Sequence, residues 1–169
     1  MFRLKKAWGL ANLLRIKNRG TNVEVMGYTR FLNPESIVLG NNVRIGYGCF
    51  FFGKGGIHVG DNTIISRNVT IYSSNHNFLG DMIPYDSSHI HKPVVIGRGV
   101  WIGMGVSITP GVNIGDGAII GMGSVISKNV AQGAIVVGTG QREITSRNID
   151  KFYQLLEANQ IYSVHYPKH

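Results

Sequence analysis

The chain of 169 residues reads as an all-β solenoid, a parallel β-helix, on three observations. From Val94 to Ala131 isoleucine recurs every six residues, at Ile96, Ile102, Ile108, Ile114, Ile120 and Ile126. Glycine follows at Gly97, Gly103, Gly115 and Gly121. Four residues after each isoleucine stands a small or β-branched side chain: Val100, Val106, Val112, Ala118, Ser124, Val130. An amphipathic helix repeats its apolar residues every ~3.6 positions and a half-buried strand every ~2. A period of six is neither, and belongs to short strands joined by corners. Three such units close a triangular coil of roughly eighteen residues, with each isoleucine pointing inward onto the one below. One coil cannot bury its own apolar face, so the coils must stack.

Taken in order, residues 1–20 read as a basic amphipathic helix, with Leu4, Trp8, Ala11 and Leu14 along one stripe and Gly20 as its end. Residues 21–140 form the solenoid. Its first stretch, Val23 to Ser36, reads as a ragged coil in which Val25, Phe31 and Ile37 keep the six-residue spacing and Pro34 takes a corner. From Leu39 the pattern is regular, except for a slip of two residues at Ile57, where Gly53, Gly55 and Gly56 suit a longer corner or bulge. The repeat breaks at residues 77–93, an ejected loop of the kind that usually carries function. After Ala131 it fades, with Gly138 and Gly140 at the exit. Residues 141–169 form a C-terminal helix and tail. The helix spans Ser146 to Gln160, turns Phe152, Leu155 and Leu156 to the body, and caps the open coil end.

Composition narrows the function classes. The length suits one domain, and 23 glycines match a turn at every corner. No apolar run reaches the ~18 residues of a membrane span. The N-terminus lacks the apolar core and cleavage site of a signal peptide. Cys49 is alone, so no disulfide framework exists, which fits the cytoplasm; it occupies an inward position. The net charge of +8 is concentrated at the start, where Arg3, Lys5, Lys6, Arg15, Lys17 and Arg19 precede the first acid, Glu24. That segment is either a solvated helix face or a contact for an anionic membrane surface or partner. No nucleic-acid-binding motif accompanies it.

Of the histidines, His165 and His169 lie in the tail, His58 in a repeat, and His89 and His91 on the loop. His76 stands at the junction of solenoid and loop, where the loop can fold over it. Ser74-Asn75-His76, the loop, Lys92-Pro93-Val94-Val95-Ile96-Gly97, Val100-Trp101-Ile102-Gly103 and Pro110-Gly111-Val112-Asn113-Ile114-Gly115-Asp116-Gly117 follow in order. This series resembles the maltose/galactoside O-acetyltransferase branch of the hexapeptide acyltransferases, and is similar to the O-acetyltransferases of surface-polysaccharide synthesis.

The resemblance implies a left-handed prism, acetyl-CoA as acyl donor and a saccharide hydroxyl as acceptor, with no metal. His76 would be the general base of a direct transfer without an acyl-enzyme, a role that suits a neutral imidazole. Asn75 and Trp101 would meet the substrate. Trp101, Met104, Met122, Ser127, Lys128 and Arg142 would meet the cofactor, with Lys128 and Arg142 against its phosphates. A cytoplasmic homotrimer is implied, with active sites between subunits; the basic start points to the inner face of the membrane. Three departures stand out. Met104 and Met122 replace small residues. Gly138-Thr139-Gly140-Gln141-Arg142 replaces a Gly-Asn-Pro-Ala-basic closing motif. The polar residues that hold the sugar have no counterpart in the stretch from Tyr47 to Gly56.

Three other readings are open. A zinc enzyme of the γ-carbonic anhydrase type would need three histidines to converge, and His76, His89 and His91 supply the number. A non-catalytic scaffold would need the repeat alone. An N-acetyltransferase acting on a nucleotide-linked amino sugar would use the same prism.

Overall fold

A computed structural model of the chain describes residue 9 and residues 11–160. Its strands stack into three parallel faces. The first face is built from Asn18–Arg19, Ile37–Leu39, Ile57–Val59, Val94–Ile96 and Asn113–Ile114. The second holds Glu24–Val25, Arg44–Ile45, Ile64–Ile65, Trp101–Ile102, Ile119–Ile120 and Ala134–Val137; the third holds Arg30–Leu32, Phe50–Phe52, Thr70–Tyr72, Ser107–Ile108 and Val125–Ile126. The fold is the left-handed parallel β-helix that the resemblance implied. Every isoleucine of the six-residue series is buried, as are Cys49 and Phe51 from the earlier coils. Burial pushes the Cys49 thiol up to about 11, so it stays protonated and inert at neutral pH.

The coil length departs from the expected eighteen. Asn18 pairs with Val38, Arg44 with Ile64 and Phe50 with Thr70, a step of 20 residues. Beyond the loop Val95 pairs with Asn113 and Trp101 with Ile119, a step of 18. The last step, Ile114 to Val130, shortens to 16. The additional residues of the early coils lie at the corner after the third face. One such corner carries the 3-10 turn Pro34–Ser36, and the other the glycines from Gly53 to Gly56, where the sequence slips phase. On this longer step the stretch from Val23 to Ser36 is a regular coil rather than a ragged one, with Val25 and Phe31 both buried.

The chain ends differ from expectation. The described N-terminal residues are helical at Gly9 and from Ala11 to Leu13, and Asn18–Arg19 is already a strand, inside the segment read as helix. Gly9, Leu13 and Ile16 are buried; Ala11 and Leu14 face solvent. The chain unwinds after Leu13, and Asn18 enters the first face opposite Val38. Leu4, Trp8, Arg3, Lys5 and Lys6 lie outside the described residues. At the other end Arg142–Ser146 is a strand antiparallel to Ala134–Val137, widening the second face. The terminal helix runs Ile149–Glu157, with Asn148 accepting from the Lys151 amide at 2.9 Å.

That helix does not cap the open coil. It lies along the corner between the first and second faces, where Phe152 covers Gly99 and Gly117. Leu155, expected to face the body, is 44% exposed; Ile149 and Leu156, which share a helical stripe with Phe152, turn inward. Gly99 and Gly117 have φ of +60° and +68°, and a Cβ on Gly99 would come 2.7 Å from the Phe152 ring. Bare corners let the aromatic ring approach the backbone.

Candidate active site

The third face positions the site. After Thr70–Tyr72 the chain reaches Ser73, which is buried; its Oγ donates to the Phe52 carbonyl at 2.8 Å and accepts from the Gly55 amide at 2.9 Å. From that anchor the chain leaves the prism as a two-stranded antiparallel ribbon, Ser74–His76 against His89–His91. The register sets Ser74 opposite His91 and His76 opposite His89. His91 Nδ1 lies 2.9 Å from Ser74 Oγ. At the far end the Asn77 amide donates to the Ser88 carbonyl, and the Asp86 carboxylate accepts from the Ser88 hydroxyl and amide. These bonds hold the Asp86 carboxyl below its ordinary pKa. The loop expected at 77–93 thus has an ordered base, and its strand His89–His91 had no sequence signal.

The ribbon presents an exposed imidazole between two rings. Tyr85 stacks on His76 at 3.9 Å with planes 17° apart, and His89 lies at 4.7 Å, tilted by 37°. Desolvation, and then the neighbouring Lys54, His76 and His91, keep the pKa of His89 below the ordinary imidazole value. Asn75 Oδ1 accepts from the His76 amide at 2.9 Å. A hollow of about 230 Å³ opens beside them, lined by Leu32, Phe50, Phe52, Tyr72, Ser74, Asn75, His76 and His89. Such an imidazole can take a proton from a hydroxyl seated in the hollow.

The other candidate residues stand elsewhere on the prism. Trp101 projects from the second face, 54% exposed, between Ile64 and Ile119. Met104 and Met122 occupy successive turns of the corner between the second and third faces, with Met122 exposed. Ser127 and Lys128 lie at the corner after the third face, and Arg142 on the antiparallel strand is exposed. The chain places His76 and Asn75 side by side on the ribbon, and Ser127 and Lys128 against the residue that precedes Arg142; Trp101 stands on a different face, and the two methionines at a different corner. That preceding residue is Gln141. Its Oε1 accepts from the Ser127 and Lys128 amides at 3.0 and 2.7 Å, and its Nε2 donates to the Lys128 carbonyl at 2.7 Å. The altered closing motif therefore fastens the corner that carries Lys128. Among the described residues no group of three His, Cys, Asp or Glu could hold a metal ion.

Sequence reasoning missed Phe50, Phe52, Tyr72 and Tyr85 as parts of the site. The signal for the first two was period-two alternation: Phe51 is buried, so its neighbours must face outward. Nothing local marked Tyr85.

Comparison with known proteins gives the same architecture. Residues 93–128 match the family described as bacterial transferase hexapeptide (six repeats), and residues 36–73 match the hexapeptide repeat of succinyl-transferase. A dTDP-4-amino-4,6-dideoxy-D-glucose acyltransferase of Escherichia coli is 30% identical, over 49% of this chain and 60% of that protein, so the alignment spans less than two thirds of its length. The solved maltose O-acetyltransferase of Clostridium difficile 630 is 34% identical, over 77% of this chain and 67% of that one, with a TM-score of 0.63. A galactoside acetyltransferase solved with coenzyme A is 28% identical, over 79% of this chain and 66% of that one, with a TM-score of 0.67.

Proposed function

The chain belongs to the hexapeptide-repeat acyltransferases, and from that premise we propose that it moves the acetyl group of acetyl-CoA to a hydroxyl of a saccharide in cell-surface polysaccharide synthesis. The observation that carries this reading is His76, an exposed imidazole held between Tyr85 and His89 at the edge of a hollow. The acceptor hydroxyl gives its proton to the His76 imidazole as its oxygen attacks the thioester carbonyl. The tetrahedral intermediate collapses with loss of the coenzyme A thiolate, which recovers the proton from the imidazolium. Oxygen gains the acetyl group, sulfur loses it, and His76 ends as it began.

The donor reading draws on the relative solved with coenzyme A. Lys128 and Arg142 meet its phosphates, and Trp101, Met104 and Met122 line its acyl end. The separation of Trp101 from His76 on one prism supports a homotrimer in which the base of one subunit faces the acyl channel of the next. Among the described residues no helix is long and apolar enough to cross a membrane. The reaction belongs in the cytoplasm, with the basic start against the inner face of the membrane.

His76→Ala tests the base. The expected result is a loss of transfer of about 10²- to 10⁴-fold with coenzyme A affinity unchanged; a folded variant that keeps most of its rate removes His76 from the mechanism. A second reading, N-acylation of an amino sugar, is favoured by the Escherichia coli relative, whose substrate carries an amine. The product separates the two, because hydroxylamine cleaves an ester and leaves an amide intact.

A further inference from the structure

The wall of the hollow away from His76 is hydrocarbon. Phe50 and Phe52 leave the same strand outward, because Phe51 between them is fully buried. Tyr72, one coil on, packs its ring 5.5 Å from that of Phe50 and 5.4 Å from that of Phe52. Leu32, one coil back, completes the wall. Its side chains offer one hydrogen-bonding group, the Tyr72 hydroxyl. On the ribbon side Ser74 Oγ lies within hydrogen-bond distance of His91, and Asn75 Oδ1 is taken by the His76 amide. Arg30, on the same face, stands 5.6 Å over the Phe50 ring and does not line the hollow.

A fully hydroxylated sugar edge turned to that wall would lose water without finding partners, which opposes binding. An apolar substituent there would instead bury its surface against three aromatic rings. The hollow, at about 230 Å³, is smaller than the ~300–1,000 Å³ of sites for drug-sized ligands. We propose that the acceptor is a 6-deoxyhexose whose methyl group packs on Phe50, Phe52 and Tyr72 while a ring hydroxyl meets His76. This rests on the acyl-transfer reading of the same site and adds the class of sugar.

The test measures coenzyme A release from acetyl-CoA with four pairs of methyl glycosides, each pair differing only at C6. The pairs are quinovoside and glucoside, D-fucoside and D-galactoside, L-fucoside and L-galactoside, and L-rhamnoside and L-mannoside. Octyl glucoside tests for an apolar aglycone instead. The expected result is that the 6-deoxy member of at least one pair has a kcat/KM about 10-fold higher than its partner. Phe52→Asn should bring that ratio to about one, Phe52→Leu should preserve it, and both should bind acetyl-CoA as the parent does. In the unaltered protein, saturation-transfer NMR should mark the C6 methyl protons most strongly. Transfer with ratios at or below one, a ratio unmoved in folded Phe52→Asn, or octyl glucoside outrunning every deoxy sugar overturns the proposal and leaves acyl transfer standing. Transfer to no sugar in the panel despite acetyl-CoA binding overturns the saccharide acceptor along with it. Absence of acetyl-CoA binding overturns the donor reading itself.

Discussion

The coils before the loop and those after it build the same prism with different corner chemistry. Between the first and second faces the early coils place Asn22, Asn42 and Asn62 in the left-handed region, at φ of 53°, 55° and 61°. Their side chains bond one to the next at 2.9 and 2.8 Å, forming a ladder up the edge. The later coils place Gly99, Gly117 and Gly133 at the equivalent corner. Asparagine tolerates a positive φ and adds a lateral hydrogen bond; glycine adds nothing of its own but leaves the backbone bare. Among the described residues the early edge faces no helix, and its asparagines secure it to one another. The later edge is covered by Phe152, and so must lack side chains. The choice of corner residue follows what lies outside the corner rather than what the turn itself requires.

That comparison can be broken most strongly at its outer partner. Phe152→Ala should destabilise the fold by ~3 kcal/mol, since a mostly buried aromatic ring is removed and the corner exposed. Denaturant midpoints would measure it. Importing the early chemistry with Gly117→Asn should cost about 2 kcal/mol through overpacking against the ring. In the Phe152→Ala background the same substitution should cost close to nothing; additive costs would show that the glycine serves the turn and not the helix.

The ladder is the next test. Asn42→Ala should cost about 2 kcal/mol, combining a strained left-handed alanine with two lost side-chain bonds. Asn42→Gly relieves the strain, so its loss should be near 1 kcal/mol. Equal losses would mean that backbone strain contributes nothing.

The smallest effect is electrostatic, and only the later edge should show it. There Arg98 and Asp116 pair at 2.6 Å, with the Tyr153 hydroxyl 3.3 Å from the same carboxylate. Burial alone would raise the Asp116 pKa, but the Arg98 amide and guanidinium hydrogen bonds outweigh it and lower the value. A carboxyl lowered in the folded state stabilises fully above its unfolded pKa of ~3.9 and loses that contribution as pH falls through its folded value. Asp116→Asn should therefore cost about 0.5–1 kcal/mol at pH 7, the range of a partly exposed pair. The gap from the parent protein should narrow as the pH falls below ~4. A gap that stays constant down to pH 2 would remove the ion pair as its cause.

The interior of the prism was legible because its signal is local and repeated. Ile96 through Ile126 announce their own spacing, and the same rule recovers Val59, Ile65 and Ile71 once the slip at Ile57 is allowed. The junction at His76 was legible for the converse reason, since the repeat stops there. What escaped were relations across the coil or out of it. Leu155 and Leu156 are equally apolar, and which one faces inward depends on the corner against which the helix lies. His89 and Tyr85 reach His76 only because the ribbon pairs residues on the two sides of an irregular loop. Gln141 was read as a departure from a motif, yet its carboxamide holds the corner at Lys128.

By itself the sequence determined the inward columns, the corner positions, the broken repeat and the histidine beside it, since each follows from periodicity along the chain. The tertiary structure decided the length of each coil, the ribbon at the base of the loop, the bare corner under Phe152 and the aromatic wall facing His76. Those features depend on which residues meet across coils, and such meetings are set by stacking geometry, which spacing along a single strand does not encode.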